Sequence, residues 1–69
     1  MSAADIAARV RRLDDLSRGI ALEISMVSKA DDPLLHLERQ AYLANLRGML
    51  GGVEAARVVL VKVWQRLDT

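Results

Sequence analysis

Sixty-nine residues allow at most one domain, and a chain this short hides only about 60% of its unfolded surface when it folds alone. It has no cysteine, hence neither a disulfide nor a thiolate metal site to make up the difference. Its net charge of +1, from ten basic and nine acidic residues that are interspersed, singles out neither nucleic acid nor an acidic lipid surface.

Hydrophobic residues supply 52% of the chain but include one Trp, one Tyr and no Phe, so Leu, Val, Ile and Ala must fill any core. That is helix-bundle composition. The N-terminal residues lack an apolar run of signal-peptide length and contain Asp5, so no cleaved export signal is expected. The apolar stretch near the C-terminus is interrupted by Arg47, Glu54, Arg57 and Lys62, too many charges for a membrane span of about 20 apolar residues. The expectation is a soluble, cytoplasmic protein.

Ser2 followed three residues later by Asp5 has the form of a capping box, so helix one is expected from about residue 3 to 28. Ile6, Val10, Leu13, Ser17, Ile20, Ile24 and Val27 alternate steps of four and three, which holds a seam against a partner helix. Asp5 and Arg9, Arg11 and Asp15, and Asp14 and Arg18 stand four apart, spaced for ion pairs on exposed faces. Leu22 and Met26 lie opposite Ile20 and Ile24, since two residues turn a helix by about 200°. The second half of helix one is thus apolar on two sides and calls for more than one neighbour.

Residues 29–33 carry the clearest breaker. Lys29 suits a helix C-terminus, Asp32 a cap, and Pro33 the first position of a new helix. The chain then reads as an antiparallel hairpin with helix two at about 33–67. Tyr42, Leu46, Met49, Val53, Ala56, Leu60, Val63 and Leu67 continue the seam without a slip. Gly48, Gly51 and Gly52 oppose this continuity, each costing about 0.8–1 kcal/mol relative to Ala in a helix. Unbroken phase favours one long helix; a break at Gly51–Gly52, giving three helices, is the alternative.

Ala44, Gly48, Gly52 and Ala56 recur every four residues and form a row along which another backbone could come close. The stretch from Val58 to Leu67 is apolar on several sides and, as a helix, asks for cover on several sides. A hairpin pivoting at 29–33 leaves its last turns, including Trp64, beyond the end of helix one. The candidate protein-interface residues are therefore Leu22, Met26, Leu46, Gly48, Met49, Leu50, Gly52, Val53, Ala56, Leu60, Val63 and Trp64.

No catalytic constellation is visible. His36, the single histidine, stands near Asp32 and Glu38 without the second His that most metal or nucleophile sites use. The glycines at 48–52 lack the Lys and Ser/Thr of a phosphate loop. No catalytic residue, cofactor or metal ligand is assigned. Arg9, Arg11, Arg12 and Arg18 could meet phosphates, but Asp14 and Asp15 beside them favour a solvated, paired face.

Val53, Glu54, Ala56, Val59, Leu60 and Trp64 follow a pattern Leu-Glu-x-Ala-x-x-Val/Ile-Leu with an apolar or Trp position after it. In this last third the chain resembles the small E-type co-chaperones of bacterial type III secretion needles. The resemblance implies a cytoplasmic hairpin that binds a helical-repeat chaperone and with it keeps the needle subunit from polymerising early. The glycine pair and the longer second helix depart from that pattern.

The expected protein is all-α and non-enzymatic: a helical hairpin that buries spare apolar faces in a bundle, as co-chaperone or stabilising subunit of a helical partner. A self-assembling homodimeric four-helix bundle with a nucleic-acid-binding or regulatory role is the alternative.

Overall fold

A computed structural model describes residues 2–29 and 33–67, and within them the chain is an antiparallel pair of α-helices. Helix α1 spans Ala3–Lys29 and helix α2 spans His36–Leu67. At 1.5 Å per residue these rods are about 40 and 48 Å long, and the molecule measures 51 × 14 × 14 Å.

Helix α1 starts as its first residues dictate. The Ser2 backbone N–H and hydroxyl both donate to Asp5 Oδ2, at 3.1 and 3.0 Å, while the Asp5 N–H donates to Ser2 Oγ at 3.2 Å. Two groups that the helix cannot satisfy internally are thereby satisfied reciprocally. The same bonds, the backbone one foremost, hold the Asp5 carboxyl below its ordinary value of 3.8, and the nearby Arg9 charge acts in the same direction.

Helix α2 begins at His36, three residues later than Pro33 would place it. Half of a capping box marks this start. The Glu38 carboxylate reaches back to accept the Leu35 N–H at 3.0 Å, and the Arg39 N–H closes the first helical turn on the Leu35 carbonyl at 2.8 Å. Leu34, just ahead, is half-buried against the core and sets the entry angle of the chain. Asp32, expected as the cap, lies outside the described residues.

From there α2 runs unbroken through Gly51 and Gly52, and no described residue has a positive φ. Continuity thus prevails over the three-helix alternative.

The core is narrow. Ile20, Val27, Leu43 and Leu46 form one buried cluster, flanked by the partly buried Ile24, Leu34, Leu50 and Val53, and Ile6 and Val10 are buried toward the other end of α1. On α1 this is the expected seam. On α2 the inward line is Leu43, Leu46, Leu50, Val53, Arg57 and Leu60 rather than the line through Tyr42, Met49 and Ala56; Tyr42, Met49 and Ala56 are exposed. The two lines share Leu46, Val53 and Leu60, so a rotation of α2 by a fraction of a turn exchanges them. The observed phase buries branched Leu43 and Leu50 and keeps the Tyr42 hydroxyl and the flexible Met49 outside.

That choice turns Arg57 inward, where Asp14 meets it. Arg57 Nε donates to Asp14 Oδ1 at 2.6 Å at the edge of the seam, where the Arg57 side chain is 45% exposed and that of Asp14 34%. This cross-helix pair takes the Asp14 that spacing assigned to Arg18; Arg18 instead bonds Asp15 at 3.4 Å on the open surface.

The Asp14–Arg57 contact also marks the register. Counting residue by residue from it places Ile6 level with about residue 65, and Ala3 level with the end of α2. The expected overhang of Trp64 is therefore absent. Because α2 starts late, its last turns lie alongside the first turns of α1, where Ile6 is only 1% exposed.

Two outcomes follow from these helix ends and glycines. In a proton titration followed by NMR, Asp5 should titrate below 3.8 and return only part of the way in Ser2→Ala, which removes the hydroxyl but keeps the backbone N–H. Because the folded value is the lowered one, its contribution to holding the first turn is present above 3.8 and is lost as pH falls through the folded value. Gly51→Ala, where a Cβ meets nothing within 4 Å, should raise stability to chemical denaturation by about 0.8–1 kcal/mol.

Candidate protein-interaction face

Two helices that touch along one line leave two flanks, and the sequence makes the flanks unlike. On α2 one flank carries Tyr42, Asn45, Met49, Gly52, Ala56, Val59, Val63 and Arg66, in steps of three and four beside the buried line. In an antiparallel pair the matching flank of α1 carries Arg9, Arg12, Leu16, Gly19, Glu23 and Met26. A shallow groove lined by Arg9, Arg12, Leu13 and Leu60 confirms that this side of α1 adjoins α2.

The flank opens large apolar side chains to water between its charged ones. Leu16 is 50% exposed, Met26 56%, Met49 55% and Val59 60%, and Tyr42 is partly exposed. The opposite flank is lined by Arg11, Arg18, Ser25, Gln40, Arg47, Glu54 and Gln65, with Leu37, 79% exposed, Val58 and Val61 as its large apolar members. The hairpin is thus amphipathic a second time, across its width.

The expected interface residues fall into three groups. Leu46 is buried in the hairpin's own core, and Leu50 and Val53 pack against that core, so these three serve the fold rather than an outer surface. Leu60 is half-buried at the groove, and Val63 and Trp64 are partly covered at the end of α2. Met26, Met49, Gly52 and Ala56 lie open on the apolar flank, with Leu22 beside it, 61% exposed.

The row Ala44, Gly48, Gly52 and Ala56 does not receive α1. Four residues advance a helix by 400°, so the row shifts about 40° per step and crosses the outer surface obliquely. All four residues are exposed, and a Cβ at Gly48 or Gly52 meets nothing within 4 Å. Gly52 and Ala56 alone of the row reach the apolar flank.

The arginines are divided as well. Arg9 and Arg12 stand on the apolar flank, whereas Arg11 and Arg18 stand on the polar one, with Arg18 paired to Asp15. Spacing makes them look like one basic run, but helical rotation splits it. Among the described residues no group of three His, Cys, Asp or Glu side chains could hold a metal ion, and no helix is long and apolar enough to cross a membrane.

The sidedness of α2 could have been found by asking which of two overlapping seven-residue series is richer in branched aliphatic residues. The role of Arg57 had no local signal, because its partner is 43 residues away. No family model, curated protein or solved structure matches the chain.

The division between core and flank has a measurable consequence. Leu46→Ala should cost about 2–5 kcal/mol of unfolding free energy, whereas Leu22→Ala, at an exposed position, should change it by no more than about 0.5 kcal/mol. Denaturant titration of the two variants checks both.

Proposed function

We propose that this chain is a non-enzymatic interaction module that works by laying its apolar flank against other helices. The observation that carries this is the uncovered line of Leu16, Met26, Met49 and Val59 along one side of a hairpin whose other side carries more charge, with Leu37 and Val58 open on it. Exposed patches of this kind mark association surfaces on soluble proteins, and a flat helical flank with a small-residue centre suits a helical partner.

The C-terminal resemblance supports a finer form of this reading, a cytoplasmic co-chaperone of a type III secretion needle subunit. In that form the flank meets a helical-repeat chaperone, with Met49, Val59 and Val63 as anchors and Gly52 and Ala56 admitting close approach. The separation of the four arginines removes the continuous basic surface on which a nucleic-acid role would rest. A second reading, self-assembly into a four-helix bundle, is favoured by the placement of charge on the flank.

Gly52→Leu tests the module. Leu is the better helix former, so helicity by circular dichroism should be kept or raised, while association, with itself or with a helical partner, should weaken at least tenfold. Arg18→Glu, on the polar flank, should leave association unchanged. A wild-type chain that stays a cooperatively melting monomer and holds no helical protein overturns the reading.

A further inference from the structure

The chain exposes more surface than its mass accounts for. A compact monomer of 7.6 kDa shows roughly 4,300 Å², whereas this hairpin shows 5173 Å². The difference, roughly 900 Å², is close to the 800 Å² or so that each partner contributes to a standard stable interface. Its radius of gyration agrees, at 15.7 Å against about 11 Å for a compact domain of this length.

The charges on the apolar flank select what covers it. Four of them belong to α1 within the flank: Asp5, Arg9 and Arg12 toward one end and Glu23 toward the other. Glu23 has no ion-pair partner among the described residues, whereas Arg9 stands near the Asp5 carboxylate. A carboxylate in an apolar flank can be covered only by something that brings it a cation, since an unpaired charge there resists burial.

Arg9 and Glu23 are equidistant from Leu16, and Leu16 is the midpoint of Ala3–Lys29. A second hairpin turned end for end about a two-fold axis at Leu16 therefore sets each Glu23 against the other's Arg9. With the loops at the same end instead, Glu23 would lie level with about residue 48 of the other α2, on apolar Met49.

Resting on the interaction-module reading above, we propose that the apolar flank is covered by a second copy of this chain, stacked in reverse. The two Leu16 side chains meet at the axis, and Glu23 of each copy pairs with Arg9 of the other. The same rotation sets α2 on α2 with its midpoint near Ala55, which brings Val59 of one copy over Gly52 of the other. The space that a Cβ would take at Gly52 is empty in the single hairpin, and Val59 fills it. Every neighbouring pair of helices in the resulting four-helix bundle is antiparallel, so the helix dipoles oppose each other throughout.

The test is the mass in solution of the purified full chain and of two charge reversals. Wild type should run at twice 7.6 kDa, while Arg9→Glu alone and Glu23→Arg alone should each fall to the single mass at the same micromolar concentration. An equimolar mixture of the two variants should regain the doubled mass, because only unlike copies then pair opposite charges at both contacts. A monomeric wild type, or variants that stay dimeric, overturns the proposal.

A second measurement separates a failure to pair from a failure to fold. Since the chain has no cysteine, Leu16→Cys should join rapidly to its own copy on mild oxidation while Ala21→Cys, on the polar flank, should not; equal rates for the two overturn the arrangement. A monomer that still binds a helical protein through Gly52 removes the second copy alone. A monomer that binds nothing removes the module reading as well.

Discussion

Two rods in contact along a single line can shelter only one stripe from each. Every other property of this molecule depends on that limit. With Ile6, Val10, Ile20 and Val27 from α1 and Leu43 and Leu46 from α2 buried, the line of contact is already filled. Aliphatic residues beyond that stripe have no place inside the hairpin, however strongly water disfavours them. The pair of helices therefore carries a second apolar face as a geometric necessity.

Within the line of contact, the decisive choice lies on α2. Two seven-residue series overlap at Leu46, Val53 and Leu60, and either would make a seam. Turning Leu43 and Leu50 inward buries more branched hydrocarbon than turning in Tyr42 and Met49, but it brings Arg57 toward α1 in place of Ala56. The Asp14 carboxylate receives it at 2.6 Å at the edge of the seam, so the charge is paired where the two helices meet.

Much of this was legible in the residues. Ser2 and Asp5 announced the start of α1, the four-three alternation from Ile6 to Val27 gave its inner side, and unbroken phase through Gly51 and Gly52 favoured one long α2. Helix α2 starts at His36, where Glu38 accepts the Leu35 N–H three residues away, a local signal that was passed over in favour of Asp32 and Pro33. What could not be read were features decided by distant contacts. The pairing of Asp14 with Arg57 outweighed the local pairing with Arg18. The four-residue row of small side chains has the spacing of a groove, yet a helix turns it across the outer surface. Of the expected contact residues, Leu46 proved to be interior, and Met26, Met49, Gly52 and Ala56 proved to be open.

Burial alone hides a difference between the two ends of the seam. Val27 and Leu43 belong to one cluster and are separated by a short stretch of chain, whereas Ile6 comes level with a position about 59 residues further along. Closing the longer loop costs more chain entropy, so contacts should form first beside Val27 and Leu43 and travel outward as a zipper does. Opening runs the other way, and amide protons in the first turns of α1 should exchange before those near Ile20. The molecule's persistence is graded along its length, and Asp14 with Arg57 sits where the slowly yielding half gives way to the quick one.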